Sequence, residues 1–339
     1  MLRVLYGGSP AASAKSLELI LKDSAMSASV PDEQYKIVGV LTNPPSAKGR
    51  HKELVPTEVE AYARIWNEAR GDDIKILTPE HIKQDERTAI EALHPDIFVC
   101  FAYGHILGPK FFSLLKFGGI NLHPSLLPKY RGATPVNSAI LNRDEKTGFS
   151  LQKMSLGIDE GDILYMQETR LTGTETAEQL LNQSALLGAI SITNVLRQTA
   201  KTGNLPHAVP QAGTPSYCTT IKKEDGLINW NDSAEKIDAQ IRAYTPWPGC
   251  FTYANGQTLK ILKARDALKI AVQDNSIKKN TDLAPGTVIE FNKQRGILIQ
   301  TGDGVLIATE LQWQAKKAMD YKSFMNGSRN FIGTVLGSN

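Results

Sequence analysis

The chain of 339 residues is long enough for two domains, and its 41% hydrophobic and 22% charged residues are typical of a soluble globular protein. The chain opens on a short apolar run that ends in glycine, and its longest apolar runs are too short to cross a bilayer, so we expect neither a signal peptide nor a membrane span. Cys100, Cys218 and Cys250 are widely separated, without a Cys-x-x-Cys pair or a nearby histidine cluster, which argues against a disulfide framework and a zinc site. We therefore expect a cytoplasmic protein with reduced thiols and no metal.

The charge is unevenly distributed. Residues 1–204 contain 22 lysines and arginines against 23 acidic residues, whereas residues 205–339 contain 16 against 12. The whole positive excess therefore belongs to the C-terminal part. This asymmetry points to an anionic partner there, although solubility alone explains it about equally well.

Short apolar runs rich in Val and Ile alternate with longer segments of helical spacing in the first two hundred residues. We predict strands over 2–6, 36–41, 74–77, 97–102, 119–122, 148–154 and 163–169, and helices over 14–26, 57–69, 85–93, 134–142 and 177–199. Strands that alternate with helices predict an α/β fold with a doubly wound, mostly parallel sheet. We assign residues 1–204 to this Rossmann-like domain.

Residues 205–221 are rich in proline and small polar residues and are predicted to be a linker. Beyond it, Asn231-Asp232-Ser233 is expected to cap a helix that ends near residue 244. Five short strands follow, over 251–253, 258–264, 286–291, 296–300 and 304–311, joined by turns such as Asn255-Gly256. They predict a small antiparallel, OB-like β-barrel over residues 222–339, with Trp230 and Trp247 packed in its core.

A nucleotide cofactor is poorly supported. The turn after the first strand, Tyr6-Gly7-Gly8-Ser9-Pro10, does not have the G-x-G-x-x-G spacing of dinucleotide sites, and its proline removes a backbone N–H that a pyrophosphate would use. No P-loop sequence is present either.

Polar side chains concentrate where the strand over 119–122 ends. Asn121 and His123 are two residues apart, so both side chains leave the strand on one face, at the carboxyl end where open α/β sheets bind ligands. An amide can donate to a developing oxyanion and an imidazole can relay a proton. Asp159, on the turn Leu156-Gly157-Ile158-Asp159-Glu160-Gly161, is a candidate to hold the imidazole. From these residues alone, the plainer explanation is that they satisfy a strand end and a β-turn.

A family resemblance changes this balance. The segment INLHPSLLPKYRGATPVNSAI, followed by Asp159 in GIDEGD 36 residues after His123, resembles the signature of folate-dependent formyltransferases. The resemblance implies that 10-formyltetrahydrofolate is the formyl donor and that an amine is the acceptor. It implies that Asn121 and His123 flank the formyl carbon and stabilise the tetrahedral intermediate, while Asp159 sets the protonation of His123. The residues that it implies for the folate pocket are Tyr103 and Gly104, in FAYGHIL, and Ser125, Leu126, Leu127 and Pro128.

Within this family, nearly the whole chain is most similar to the methionyl-tRNA formyltransferases. The polar loop after the second strand carries Lys48, Arg50 and Lys52, and the C-terminal region carries Lys316 and Lys317. The resemblance implies that these five residues contact the phosphates of initiator methionyl-tRNA. An ordinary solvated surface loop is the alternative explanation for the first three. We expect a monomer without a membrane partner.

Two other functions stay open. An enzyme that formylates a nucleotide-sugar amine would use the same chemistry without a basic loop or a basic barrel. A tRNA-binding protein without catalysis would carry Asn121, His123 and Asp159 as relicts, which their joint presence argues against.

Overall fold

The computed structural model describes residues 1–48, 53–266, 283–328 and 330–337, and these residues form two compact units. Unit 1 comprises Met1–Pro135, Lys146–Arg170 and Leu180–Thr219, and unit 2 comprises Val136–Glu145, Leu171–Gln179 and Thr220–Asn339. The domain boundaries at 204 and 222 stay predictions.

The elements up to residue 219 follow the predicted alternation. In chain order they are β1 Leu2–Gly7, α1 Ala11–Ser27, β2 Tyr35–Leu41, β3 Ser46–Lys48, β4 Glu53–Val55, α2 Glu58–Arg70, β5 Lys75–Leu77, α3 Gln84–Glu91, β6 Ile97–Cys100, α4 Pro109–Phe112, β7 Gly119–His123, β8 Arg131–Gly132, α5 Pro135–Leu141, β9 Lys146–Lys153, β10 Ile163–Arg170, α6 Ala177–Thr202 and β11 Tyr217–Cys218.

Seven of these strands form the central sheet of unit 1, in the order β10-β9-β7-β6-β1-β2-β5. The five strands from β7 to β5 run parallel, and β9 is antiparallel to both β7 and β10. The predicted α/β fold with a mostly parallel sheet is therefore confirmed.

Both faces of this sheet are covered, which explains the continuous apolar runs. Val4 and Tyr6 of β1 belong to one core cluster, together with residues of α1, α2 and α6, whereas Leu5 belongs to a second cluster with residues of α3 and α4. On β7, Ile120 and Leu122 enter the first cluster. Since side chains alternate along a strand, the other residues of β7 face the opposite side.

The polar loop predicted after the second strand contains a short hairpin. Ser46 pairs with Val55 and Lys48 with Glu53, so β3 and β4 are antiparallel. The polar composition of the segment gives no alternating pattern, which is why a loop was expected there.

Unit 2 contains a separate antiparallel sheet. Its elements are α7 Ala234–Ala243, β12 Cys250–Ala254, β13 Gln257–Asp266, β14 Val288–Asn292, β15 Gly296–Gln300, β16 Val305–Trp313, β17 Met319–Asp320 and α8 Tyr321–Asn326. The strand order is β12-β13-β16-β15-β14, and β17 pairs with β16. Closure into an OB-like barrel stays a prediction.

Local signals in unit 2 are reproduced with one exception. The Ser233 side chain caps α7 by accepting a bond from the Lys236 backbone N–H at 3.2 Å, and Asn255-Gly256 forms the β12–β13 turn with positive φ at both residues. Trp230 is buried and donates to the Thr252 hydroxyl at 2.9 Å. Trp247 is 60% exposed, so its expected place in the core is wrong: it lies in the loop between α7 and β12.

Within the described ranges, no helix combines the length and the apolar composition needed to cross a membrane.

Candidate active site

The site begins with the alternation of side chains along β7. Asn121 and His123 lie on the face opposite Ile120 and Leu122, as the sequence predicted. His123 is the last residue of β7 and is 3% exposed, whereas Asn121 is half-buried. Both therefore stand at the carboxyl end of a parallel strand.

Asp159 reaches these two side chains from the turn between β9 and β10. Its φ is +54°, in the left-handed region, so the backbone there is constrained. Two residues later, a Cβ on Gly161 would lie 1.6 Å from the Lys153 carbonyl oxygen, and only glycine can pass so close to β9. The glycine-rich turn thus holds Asp159 against the end of the sheet.

Four groups surround the Asp159 carboxylate. Oδ1 accepts from Gln152 Nε2 at 2.8 Å and from Asn121 Nδ2 at 3.3 Å. Oδ2 accepts from the Gly132 backbone N–H at 2.8 Å and lies 3.5 Å from His123 Nδ1. Because the side chain is only 13% exposed, these partners replace most of its hydration and hold it in place.

The hydrogen bonds of His123 define its tautomer. Nε2 lies 2.9 Å from the Tyr130 carbonyl oxygen, which can only accept, so Nε2 carries a proton. Protonation of Nδ1, the nitrogen that faces Asp159, therefore determines whether the ring is neutral or positively charged. Burial lowers the pKa of His123, while Asp159 and the Tyr130 carbonyl oppose this effect by stabilising the imidazolium.

A buried thiol on the neighbouring strand is not a nucleophile. Cys100 of β6 pairs with Asn121 of β7. Burial raises the pKa of Cys100 to about 12, so its thiol stays protonated at neutral pH.

Two glutamines of the site were missed by the sequence analysis. Gln152 lies directly across from Asn121 in the β7–β9 ladder, which explains why both amides reach Asp159. Gln211, from the segment predicted to be a linker, donates to the carbonyl oxygens of Asp159 at 2.8 Å and Gly161 at 2.9 Å. The alternation of Ser150 and Gln152 with apolar neighbours in β9 is a signal for the first; Gln211 has no comparable signal.

The segment after β7 is shaped by its own hydrogen bonds. Ser125 is buried, and its hydroxyl donates to the Lys129 carbonyl oxygen at 2.6 Å. Leu127 and Pro128 are also buried, while Leu126 is half-buried against Gly148 of β9. Ser125 thus fixes the course of the turn.

The other predicted pocket residues lie after β6. The Tyr103 ring is buried and packs on His105 with ring centroids 4.6 Å apart, and Gly104 is exposed with φ +83°. His105, which the sequence analysis did not select, has its Nε2 2.7 Å from Asn43 Oδ1 after β2. Burial and the neighbouring His81 lower the pKa of His105.

The predicted phosphate contacts are only partly described. Lys316 and Lys317 are exposed in the turn between β16 and β17, and no ion pair involving them occurs among the described residues. Lys48 ends β3, but its side chain lies outside the described residues, as do Arg50 and Lys52 entirely.

Metal ligands are not grouped in the described ranges. Those ranges contain no cluster of three or more His, Cys, Asp or Glu side chains able to hold an ion.

Comparison with known families identifies the class of the protein. The sequence profile described as "Formyl transferase" matches residues 16–196, and that of "Formyl transferase, C-terminal domain" matches residues 220–329. The chain belongs to the formyltransferase family, and the prediction that it is a formyl-transfer enzyme is confirmed.

The relatives that it resembles along nearly its whole length are methionyl-tRNA formyltransferases. The protein of this name from Treponema denticola is 39% identical over 334 residues, covering 98% of each chain. The one from Treponema pallidum subsp. pallidum is 38% identical over 340 residues, covering 99% of this chain and all of the relative. The resemblance predicted from the sequence is thereby confirmed.

Solved structures agree on the fold. A sugar 3N-formyl transferase, WlaRD, crystallised in the presence of dTDP and 5-N-formyl-THF, matches with a TM-score of 0.59 at 20% identity, covering 94% of this chain and 99% of the other. Methionyl-tRNA formyltransferase from Clostridium thermocellum matches with a TM-score of 0.54 at 18% identity, covering 78% and 93%.

The contact between Asp159 and His123 predicts the direction of a titration shift. Asp159→Asn removes the negative charge that stabilises the imidazolium, so the pKa of His123 should fall further below its ordinary value. Imidazole NMR resonances followed against pH would measure this change, with the exposed His207 as an internal reference. A His123 pKa that rises or stays unchanged would show that burial alone governs this residue.

Proposed function

We propose that the protein transfers the formyl group of 10-formyltetrahydrofolate to the α-amine of methionyl initiator tRNA, giving N-formylmethionyl-tRNA for translation initiation. The observation that carries the proposal is the contact of Asn121 and His123 with one carboxylate, that of Asp159, at the carboxyl end of β7. The similarity to methionyl-tRNA formyltransferases over 98–99% of the chain supports the choice of acceptor.

The chemistry follows from the groups at this site. The acceptor amine must be neutral, because only then does its nitrogen have a lone pair to attack the formyl carbon. Attack places a negative charge on the formyl oxygen, which Asn121 Nδ2 and the imidazolium of His123 are suited to stabilise. The attacking nitrogen, which is positively charged after the attack, loses a proton. The bond from that carbon to N10 of the folate then breaks with its electron pair going to N10, N10 takes up a proton, and the amine keeps the formyl group. In this proposal Asp159 holds His123 and favours its charged form.

The proposed donor site lies along the turns after β6 and β7. Tyr103 and Gly104 form one wall, and Ser125 to Pro128 form the other. The hydroxyl of Tyr103 is buried and has no hydrogen-bond partner within the described ranges, although buried polar groups normally have one. A folate with several polar groups on its ring is a suitable partner.

The proposed tRNA contacts are electrostatic. We assign them to Lys48, Arg50 and Lys52 and to Lys316 and Lys317. Lys316 and Lys317 are exposed and have no ion pair with any described residue, which suits contact with phosphates, and the C-terminal part carries the positive excess of the chain. In this proposal residues 1–204 catalyse, residues 205–221 connect, and residues 222–339 form an OB-like barrel that binds tRNA, in a monomeric cytoplasmic enzyme.

Two separate reactions with different acceptors test the proposed function. The purified protein is given 10-formyltetrahydrofolate with methionyl initiator tRNA, and separately with a nucleotide-linked amino sugar. We expect N-formylmethionyl-tRNA in the first reaction and background formylation in the second, because only the tRNA carries a long phosphate backbone that several basic residues can contact at once. Formylation of the amino sugar alone would show that the sugar amine, and not methionyl-tRNA, is the acceptor. The absence of product from either amine would refute the proposed function.

Substitution of Lys316 and Lys317 tests the proposed tRNA contacts. Lys316→Gln combined with Lys317→Gln should weaken tRNA binding and reduce the slope of log Kd against log salt by about 2, roughly 1 for each lost phosphate contact. Lys22→Gln is the matched control, because Lys22 is exposed but paired with Glu18 at 2.6 Å. Filter binding across a salt series measures both, and an unchanged slope in the double variant would exclude these lysines.

A further inference from the structure

The carboxylate of Asp159 has a partner that the formyl-transfer mechanism does not use. Gln152 of β9 is 2% exposed, and its Nε2 donates to Asp159 Oδ1 at 2.8 Å. Asn121 donates to the same oxygen at the longer distance of 3.3 Å. A shorter bond to a charged acceptor is the stronger one, so Gln152 provides the main contact of this oxygen.

Because Gln152 makes the main contact with Oδ1, the amide of Asn121 is available to bind the substrate. If Asn121 were the only donor to Oδ1, turning its N–H toward a reacting formyl oxygen would leave a buried charged oxygen unpaired, at a large cost. With Gln152 in place, Oδ1 keeps a partner throughout. Asn121 can then exchange its weaker bond to Asp159 for one to the substrate.

A second amide holds the backbone of the same residue. Gln211 Nε2 donates to the Asp159 and Gly161 carbonyl oxygens, and lies 3.5 Å from Gln152 Oε1. Its Oε1 accepts from Arg131 Nη2 at 2.8 Å. Since Asp159 has a positive φ, which is unfavourable for a non-glycine residue, such contacts keep the turn in this conformation.

The segment around Gln211 is itself hydrogen-bonded to other segments of unit 1. Val209 exchanges two backbone hydrogen bonds with Ile163, at 2.8 and 2.9 Å, and the Arg131 N–H donates to the Ser216 carbonyl oxygen at 2.8 Å. Gln211 therefore lies between two residues, Val209 and Ser216, whose backbones are hydrogen-bonded to other segments. Its amide is therefore held by the surrounding chain and can help to fix the position of the Asp159 turn.

We propose that Gln152 and Gln211 are positioning residues for Asp159, Gln152 by holding its carboxylate beside His123 and Gln211 by holding its backbone. This inference rests on the proposed function for its kinetic consequences. Neither glutamine contacts the reacting atoms: each acts through Asp159.

Replacement of Gln152 separates positioning from binding. Gln152→Leu keeps the approximate volume and removes the donor, and should lower kcat for formyl transfer by about 10- to 100-fold, the range for a lost bond to a charged group, with KM for both substrates nearly unchanged.

Gln152→Glu gives a rescue that a purely structural role would not. An ionised Glu would repel Asp159, but a protonated Glu can donate to it. The kcat of Gln152→Glu should therefore rise relative to that of Gln152→Leu as the pH falls.

Gln211→Glu tests the backbone contact. It keeps the acceptor for Arg131 and removes both donors to the carbonyl oxygens, so kcat should fall by about tenfold. The matched control is Gln240→Glu, because Gln240 of α7 likewise donates to two carbonyl oxygens, those of Asp225 and Leu227, at 2.8 and 3.1 Å. The control should leave both kcat and its pH profile unchanged.

An NMR titration of His123 makes the test independent of turnover. In Gln152→Leu the pKa of His123 should move in the same direction as in Asp159→Asn, and by less. A folded Gln152→Leu or Gln211→Glu protein with kcat within twofold of the parent, or an unmoved His123 titration in Gln152→Leu, would overturn the proposal. Failure of the parent to formylate any amine would refute the proposed function instead, and the titration would still decide the positioning role.

Discussion

A single buried charge organises this site. The Asp159 carboxylate is 13% exposed, and two neutral amides and a backbone N–H donate to it, while an imidazole nitrogen lies 3.5 Å away. The cost of removing a carboxylate from water is large, so every one of these partners has to be held in place by the fold. They come from β7, β8 and β9, and the charge itself comes from the turn before β10. The strands around β7 are therefore arranged so that they bring together the partners that this one carboxylate needs.

The sheet meets this requirement through simple strand geometry. β7 is sandwiched between a parallel neighbour, β6, and an antiparallel one, β9. Alternation sends Ile120 and Leu122 into the core and leaves Asn121 and His123 on the other face, and the antiparallel register brings Gln152 opposite Asn121. A slip of one residue in either strand would exchange the core face and the polar face. Core packing therefore fixes the register that the chemistry uses.

The sequence predicts those parts of the molecule that depend on local patterns. The central strands are marked by short apolar runs and the long helices by helical spacing. The pair Asn121 and His123 is marked by its period-2 spacing at a strand end, and Asp159 by its glycine-rich turn. Contacts between distant segments carry no such signal. Gln211 lies 52 residues from Asp159 in a proline-containing stretch without periodicity, and β8 pairs with β11 across 86 residues. The core position of Trp247 is predicted only because aromatic side chains pack in cores more often than they stack on RNA bases, and this general tendency does not decide the place of a loop residue.

The claim that Asp159 works through His123 is tested most directly by a double-mutant cycle. Single-turnover formylation of methionyl initiator tRNA is measured for Asp159→Asn, for His123→Gln and for the protein with both changes. If the carboxylate acts by holding the imidazole and stabilising its charged form, Asp159→Asn should hardly lower the rate of a protein that already lacks His123. The double variant should then be about as slow as the slower single variant. Losses that multiply across the two substitutions would show that the two residues act independently, and would contradict the account.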